Sequence, residues 1–260
     1  MSRGVFAMLR TLLAIFIAST LMLSAVGCGP KFGPQARNGI TFYCPGAGNI
    51  DFGDQGIRAG LEKAGYRGQV ASLVWTVSLN PAIDQVLRFN ARAGADRLAK
   101  YIRQYHDQFP EGEINVVGLS AGTGVAIWAL ESLPPKYKVN NVVLLSSSLS
   151  HDYDVSKALQ RIEGKIYNFY SSHDAVLTVL MKPVGTIDGK PFTDGAGAVG
   201  LDVPAGAKGR IVNTAWRPEF SNLGYTGGHM DSTSPEFVTA YIAPHLIHVE
   251  HPALGDTVPA

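Results

Sequence analysis

The stretch that decides the fold runs Ile114-Asn-Val-Val-Gly-Leu-Ser-Ala-Gly-Thr-Gly-Val-Ala-Ile-Trp-Ala-Leu130. It begins with apolar, mostly β-branched residues, which are typical of a buried strand, and this run stops at Gly118. After Ser120, small and apolar residues recur at helical spacing, with Val125 and Trp128 among them. The stretch therefore predicts a strand, a sharp turn and a helix in succession.

The predicted turn contains Gly118-Leu119-Ser120-Ala121-Gly122, which matches the pattern Gly-x-Ser-x-Gly of a nucleophile elbow. A serine at the tip of such a turn has a strained backbone, and the positions two residues away have no room for side chains. The backbone N–H of Ala121, at the start of the helix, would point towards a developing oxyanion. An ordinary glycine-rich turn is the alternative, since a chain with 29 glycines can produce the pattern by chance.

Other strands and helices alternate along the chain around this central unit. Apolar runs predict strands at 40–44, 69–75, 139–146, 165–170 and 210–216. Helices are predicted at 51–64, 91–109, 154–162, 175–181 and 235–247, and the helix after the elbow reaches about residue 133. The alternation predicts an α/β fold with a doubly wound, mostly parallel sheet of about six strands and helices on both faces. Ligands of such sheets bind outside the carboxyl ends of the strands.

Length and composition predict one domain and disfavour one class of partner. A chain of 260 residues with 46% hydrophobic residues can bury one sizeable α/β core, which we assign to 39–250, with a C-terminal tail at 251–260. The net charge is +1, and no basic stripe is visible, so nucleic acid is not an expected partner. The segments 78–90 and 183–209 lack a clear period. The first is predicted as a loop or short helix that could wall a pocket, and the second as an insertion on the surface or over the site.

The first 28 residues are typical of an export signal. Arg3 and Arg10 precede the apolar run 11–26, and the ending Leu23-Ser-Ala-Val-Gly-Cys28 resembles a bacterial lipoprotein signal, with Ala25 where leucine is usual. We expect an exported protein, lipid-anchored through Cys28 at a bacterial cell envelope, with 29–38 as a tether. Cleavage without lipidation, giving a secreted or periplasmic protein, and an uncleaved membrane anchor are the alternatives.

The chain has two cysteines, Cys28 and Cys44. If Cys28 carries a lipid, it is not available for a disulfide, and Cys44 is then expected as a buried thiol at the end of a strand. A Cys28–Cys44 disulfide in an oxidising compartment is the alternative.

A serine nucleophile requires an imidazole base and a carboxylate that orients it. His229 is the candidate base, because it follows Gly227 and Gly228 in the loop between the last strand and the last helix. Asp174 follows the strand that ends at residue 170 and is the candidate acid, although its position also suits a helix N-cap. Asp152 and Asp154 are the alternative acids.

Two further patterns could indicate a ligand site. His245, His248 and His251 have helix-like spacing, but they lie near the end of the chain, where fraying is expected, without a carboxylate cage or a second cluster, so no metal is expected. Gly46-Ala47-Gly48 after the first strand suggests a dinucleotide-binding turn, but its third glycine would fall on Asp51. We therefore expect no cofactor.

The order serine, aspartate, histidine at successive strand ends resembles the α/β-hydrolase fold, and the resemblance covers 40–247. The resemblance implies an eight-stranded sheet that here lacks its first two strands, and a second oxyanion N–H from the loop after the first strand, at Ala47. It implies a serine hydrolase of a small-molecule carboxylic ester, with thioesters and amides as alternative substrates. The rival function is a hydrolase-like binding or scaffold protein without turnover.

Overall fold

The computed structural model describes residues 31–49, 53–76 and 88–247, which contain one six-stranded, all-parallel sheet. The strands are β1 (Ile40–Cys44), β2 (Gln69–Ser72), β3 (Ile114–Leu119), β4 (Asn141–Leu145), β5 (Ile166–Tyr170) and β6 (Ile211–Ala215). Their spatial order is β2-β1-β3-β4-β5-β6. The predicted doubly wound parallel sheet of about six strands is confirmed, and within the described ranges no strand precedes β1.

The helices that cover the sheet differ in length and type. The α-helices are α1 (Gly53–Lys63), α2 (Phe89–Gln108), α3 (Ala121–Ser132), α4 (Ser156–Leu159), α5 (Ala196–Val199) and α6 (Pro235–Phe237). A π-helix, Val176–Leu180, follows β5, and α6 continues into the π-helix Val238–Ile242 and the 3-10 turn Ala243–His245. Among the described residues, no helix combines the length and the apolar character needed to cross a bilayer.

The sheet separates two apolar layers, because alternate residues of each strand face opposite sides. On one side, Val116 packs in a cluster with residues of α2 and α3 such as Leu98 and Val125. On the other side, Val117 packs in a second cluster with Ile57 of α1 and residues of the C-terminal helical segment. The central strands are buried on both faces, which is why their sequences are continuous apolar runs.

The register of the sheet aligns the carboxyl ends of its strands. Cys44 pairs with Gly118, Leu119 pairs with Leu145, and Tyr170 pairs with Ala215. The loops that carry the candidate site residues therefore leave the sheet along a single edge.

The tether predicted over 29–38 is wrong for the part that the structure describes. Pro34–Asn38 forms a 3-10 helix in which Ala36 is fully buried. The Tyr105 hydroxyl donates to the Ala36 carbonyl at 2.6 Å, and the Phe32 ring meets the Tyr105 ring edge-on. The folded unit therefore begins at Phe32 and not at residue 39, because these contacts fix the segment against α2.

The loop predicted over 183–209 is ordered by hydrogen bonds. Ile187 donates its N–H to the Ser148 carbonyl at 2.9 Å, and Gly197 donates to the Ser147 carbonyl at 2.8 Å. The loop also contains the short helix α5, which its composition did not predict. The export signal 1–28, the C-terminal tail 251–260 and most of the predicted loop 78–90 lie outside the described residues.

A close helix contact generates a prediction about stability. A Cβ on Gly60 of α1 would lie 2.4 Å from the Val238 Cβ, whereas a Cβ on Gly206 would have no atom within 4 Å. We expect Gly60→Ala to lower the free energy of unfolding by about 1–3 kcal/mol through overpacking, measured by urea denaturation. Gly206→Ala, the matched control, should change it by about 0.5 kcal/mol or less. Equal effects at both positions would contradict the proposed helix contact.

Candidate active site

Ser120 occupies the tip of the turn between β3 and α3 with a strained backbone. Its φ is 52° and its ψ is −123°, a conformation that L-residues rarely adopt. The Ser120 N–H donates to the Leu145 carbonyl at 2.9 Å, and the Thr123 hydroxyl donates to the Ser120 carbonyl at 2.5 Å. The backbone on both sides of the serine is therefore held, and its side chain stands at the sheet edge.

The two glycines of the elbow are required by close backbone contacts. A Cβ on Gly118 would lie 2.9 Å from the Gly122 carbonyl oxygen, and a Cβ on Gly122 would lie 2.1 Å from the Cys44 carbonyl oxygen. Both distances are far below normal contact, so no other residue fits without a backbone shift. The glycine at 122 also lets the start of α3 approach the loop that follows β1.

His229 reaches the serine from the loop that follows β6. Its Nε2 lies 2.8 Å from the Ser120 Oγ, and its side chain is 16% exposed. Gly227 has a φ of 94°, which glycine adopts freely and which turns the loop towards the sheet edge. The predicted position of the histidine in a glycine turn therefore matches where the structure places it.

Asp174 is fully buried and contacts the other nitrogen of the imidazole. Its Oδ2 lies 2.7 Å from the His229 Nδ1, and its Oδ1 accepts the N–H of Leu177 at 3.1 Å. One carboxylate oxygen thus meets the histidine while the other bonds the start of the π-helix Val176–Leu180. The hydrogen bond to Leu177 resembles that of a capping residue, although Ala175 holds the N-cap position of this helix.

The alternative acids lie outside this cluster and have other partners. Asp152 is half-exposed and pairs with the Lys190 Nζ at 2.8 Å, and this bond holds the pKa of the Asp152 carboxyl below its ordinary value. Asp154 accepts the N–H of Ser156 at 2.9 Å. The structure brings Ser120, His229 and Asp174 together and leaves both rivals at the surface.

The loop after β1, which contains Ala47, packs directly against the elbow. Ala47–Asn49 forms a 3-10 turn in which Gly48 and Asn49 have positive φ. A Cβ on Gly122 would lie 2.4 Å from the Pro45 carbonyl oxygen, which shows how closely this loop approaches the start of α3. Ala47 and Ala121 therefore belong to adjoining backbone segments beside Ser120.

Several residues that support the site were missed by sequence reasoning. The Trp75 indole N–H donates to the Pro45 carbonyl at 2.8 Å, and the Asn49 side chain donates to the Thr76 carbonyl at 2.5 Å. These bonds join the loop after β1 to the segment after β2. Asparagine directly after a Gly-x-Gly turn was a usable signal for Asn49, because asparagine tolerates positive φ. No sequence pattern pointed to Trp75.

Tyr225 is a buried neighbour of the two carboxylates of the site. Burial raises the pKa of its hydroxyl, and the negative charges of Asp174 and Asp231 raise that pKa further. The phenol therefore stays neutral. Its ring packs against the rings of Phe220 and Phe237.

Of the three histidines discussed for a metal, the structure describes His245. Among the described residues, no group of three or more histidine, cysteine, aspartate or glutamate side chains gathers in a ligand-like arrangement. The His245 ring stacks on the Tyr167 ring at 3.8 Å, and burial lowers the pKa of His245. His248 and His251 lie outside the described residues, as does Cys28, whereas Cys44 is a buried free thiol.

Comparison with known proteins finds distant structural similarities. No family model matches the chain, and no curated protein matches it. A cutinase-like protein from Cryptococcus sp. is 14% identical with a TM-score of 0.47, covering 83% of this chain and 98% of its own. A lipase-esterase related protein from Clostridium acetobutylicum is 12% identical with a TM-score of 0.45, covering 83% and 97%. Carboxylesterase CesB from Bacillus subtilis is 12% identical with a TM-score of 0.41, covering 84% and 85%. The activity that each name states belongs to that other protein.

The conformation of the loop that contains His229 depends on hydrogen bonds to one carboxylate, and this dependence can be tested. Asp231 accepts hydrogen bonds from the Thr226 hydroxyl and from the Gly228 N–H, the latter at 3.3 Å. We expect Asp231→Ala to loosen this loop and slow the reaction of Ser120 with a fluorophosphonate at least about tenfold, because the imidazole is less well placed. The control is Asp96→Ala, which removes an exposed carboxylate of α2. Equal rates for both variants would show that Asp231 does not position the histidine.

Proposed function

We propose that this chain is a serine hydrolase that cleaves a carboxylic ester of a small molecule through an acyl-Ser120 intermediate. The observation that carries the proposal is the continuous contact of three side chains at one sheet edge. The Ser120 Oγ lies 2.8 Å from the His229 Nε2, and the His229 Nδ1 lies 2.7 Å from the Asp174 Oδ2.

The proton positions follow from the chemistry of the carboxylate. An ionised carboxylate only accepts hydrogen bonds, so the Nδ1 of His229 carries the proton that faces Asp174. In the neutral imidazole the Nε2 then has a free lone pair directed at the Ser120 hydroxyl. His229 is thus in the tautomer that can take the proton of the serine, and Asp174 orients the ring and stabilises the imidazolium that forms.

The reaction has two balanced halves. The Ser120 Oγ bonds the ester carbon, its proton passes to the His229 Nε2, and the alkoxide leaves as an alcohol after receiving that proton. A water then loses a proton to His229 and bonds the acyl carbon, and Ser120 recovers the proton as the carboxylic acid departs. In each half the carbonyl oxygen becomes negative for an instant, and we assign its stabilisation to the N–H groups of Ala121 and Ala47.

Adjoining backbone segments support this oxyanion assignment. Ala121 opens α3, whose N-terminus favours negative charge, and Ala47 lies in the 3-10 turn seated on the same helix start. Hydrogen bonds made by Trp75 and Asn49 limit the movement of this loop. N–H donors that stabilise an oxyanion must be held in place before the reaction begins.

The test of the catalytic serine is labelling by a fluorophosphonate probe together with hydrolysis of a soluble p-nitrophenyl ester. We expect the wild type to be labelled and Ser120→Ala to lose both labelling and turnover, because Ser120 supplies the hydroxyl that contacts the His229 Nε2. Correctly folded wild type that is neither labelled nor active would favour the non-catalytic scaffold.

The test of the acid compares two substitutions of equal size. Asp174→Asn removes the charge that His229 Nδ1 faces and is expected to lower kcat by about 10⁴-fold. Asp154→Asn, at a surface position, is the control and should leave kcat within about twofold. Selective loss in Asp154→Asn would overturn the assignment of Asp174.

We further propose that the protein is exported and held at a bacterial cell envelope by a lipid on Cys28. The support is the sequence of the first 28 residues, which has arginines before an apolar run and the cysteine after small residues. The chain between this cysteine and the folded unit at Phe32 is short, so a lipid there would keep the domain close to the membrane surface.

Cell fractionation tests the anchor. Cys28→Ser is expected to move the protein from the membrane fraction to the soluble fraction, because the attachment point of the lipid is lost. Cys44→Ser, which removes the buried thiol, is the control and should not change the fraction. Retention of Cys28→Ser in the membrane fraction would refute lipid anchoring.

A further inference from the structure

One arginine at the edge of the sheet that holds the site has no described partner for its charge. The Arg88 side chain is half-buried, and its Nε is shielded from solvent without a hydrogen-bond partner. Among the described residues, no aspartate or glutamate forms an ion pair with its guanidinium. A shielded donor without a partner is unfavourable, so the stability of the fold does not explain this side chain.

The other half-buried arginines of the described residues all donate hydrogen bonds to the protein. Arg97 and Arg161 donate to backbone carbonyl groups at 2.5 Å and 2.9 Å. Arg58 and Arg210 likewise donate to backbone carbonyl groups, at 3.1 Å and 2.7 Å. Those four side chains bind parts of the fold together, whereas the guanidinium of Arg88 makes no such bond within the described ranges.

Helix α2 begins at this arginine and adds to the positive potential. Arg88 is the N-cap of α2, and the first turn of the helix contains no acidic residue. The N-terminus of a helix carries a partial positive charge, so a cation there is unfavourable and an anion is favourable. Arg92, in the same turn, lies over the Trp128 ring at 3.6 Å. The charge of Arg88 is thus the one at the start of α2 that no described contact offsets.

The start of α2 lies at the same sheet edge as Ser120. Helix α2 follows β2, and a helix that follows a strand of a parallel sheet begins at the carboxyl ends of the strands. The Asn90 side chain donates to the Thr76 hydroxyl at 3.4 Å, and Thr76 accepts a bond from Asn49 on its carbonyl at 2.5 Å. Thr76 therefore joins the first turn of α2 to the loop that contains Ala47.

The guanidinium packs against a turn that is bonded to the elbow. A Cβ on Gly189 would lie 3.1 Å from the Arg88 Cζ, so the guanidinium contacts the backbone of this glycine. Two residues earlier, Ile187 donates its N–H to the Ser148 carbonyl at 2.9 Å. Ser148 in turn donates its N–H to the Ser120 carbonyl at 3.4 Å. Because two residues span at most about 7 Å, these contacts place the guanidinium close to the elbow.

The same turn also packs against the helix that begins at the elbow. Ile187 is fully buried, and its Cγ2 would lie 2.8 Å from a Cβ on Gly124 of α3. Gly124 lies one helical turn after Ser120, which is a rise of about 6 Å. Arg88 therefore lies between two segments that adjoin Ser120, the loop after β1 and the turn 186–189.

A single unpaired charge fits a carboxylate better than a dianion such as a phosphate. Lys190, next to Gly189, already lies 2.8 Å from an Asp152 oxygen. The Asp188 carboxylate accepts the N–H and the hydroxyl of Ser150, at 2.8 Å and 2.7 Å. The lysine and the aspartate of this turn are thus bonded elsewhere, and the guanidinium is left to bind an anion of one charge. A planar guanidinium matches a carboxylate through two parallel hydrogen bonds.

We propose that Arg88 binds a free carboxylate of the ester that Ser120 cleaves, so that the site selects esters with one acidic end. The ester chemistry rests on the proposed function. A carboxylate there offsets the charge of the guanidinium and of the start of α2, and it holds the ester beside the serine. The carboxylate can belong to the acyl half or to the alcohol half of the ester, and the kinetic test distinguishes the two.

Isothermal titration calorimetry on the full-length Ser120→Ala chain tests this binding without turnover. We expect monomethyl adipate, a monoanion, to bind at least about tenfold more tightly than the neutral dimethyl adipate. Adding Arg88→Gln should remove this preference, whereas adding Arg103→Gln, which removes an exposed arginine of the same helix, should keep it. Equal affinity for both probes, or a preference that survives Arg88→Gln, overturns the proposal.

Kinetics on two matched pairs of esters supply the second test. The first pair is p-nitrophenyl hydrogen adipate and its neutral methyl ester, with the carboxylate on the acyl half. The second pair is 5-butyryloxypentanoate and its methyl ester, with the carboxylate on the alcohol half. In wild type we expect kcat/KM to favour the acid at least about tenfold in one pair, which identifies the half that Arg88 binds. High salt should weaken this preference, because ions screen the contact.

The same ratio of kcat/KM values in the variants decides the role of the arginine. Arg88→Gln should lower it at least about tenfold, and Arg103→Gln should leave it within about twofold. If Arg88→Gln does not fold, Arg88→Lys replaces it and should lower the ratio at least about threefold, because an ammonium cannot form two parallel bonds. No preference in either pair, or a ratio unchanged in the Arg88 variant, overturns the proposal. A wild type inactive on all four esters contradicts the proposed function, while calorimetry still decides the carboxylate site.

Discussion

The site depends on the contact between the start of α3 and the loop after β1. Gly122 allows this contact, because any Cβ there would meet the carbonyl oxygens of Cys44 and Pro45. The same contact fixes the direction in which α3 leaves the elbow and thereby the backbone of Ser120. The strain at this serine is of the order of 1–3 kcal/mol, and it persists because the surrounding bonds over-determine the turn.

The fold and the positions of Ser120 and His229 could be predicted from the sequence because each has a local signal. Apolar runs gave the strands, and two glycine patterns gave the turns that carry Ser120 and His229. The choice of Asp174 over Asp152 rested on chain order, and only the folded chain shows which carboxylate meets the imidazole. That contact joins residues 55 positions apart, a pairing that no local pattern encodes.

What the sequence did not predict depends on contacts between distant segments. The 3-10 helix near Ala36 is ordered by Tyr105, a residue 69 positions away, so its composition alone indicated a tether. Trp75 supports the loop after β1 through a bond that spans 30 positions. The order of the 183–209 loop likewise comes from carbonyl groups and side chains of the β4 edge, such as Ser148 and Ser150.

The irregular elements of the protein are concentrated where the chain leaves the sheet. Ser120 and Ser146 have positive φ directly after β3 and β4, and a π-helix follows Asp174 after β5. Strands and long helices instead form the apolar layers, whose burial supplies most of the favourable free energy of folding. Because strands and helices supply most of both layers, strain at the sheet edge can be tolerated while the core stays well packed. The strands and helices thus stabilise the protein, whereas the loops at the carboxyl ends of the strands hold three side chains in contact.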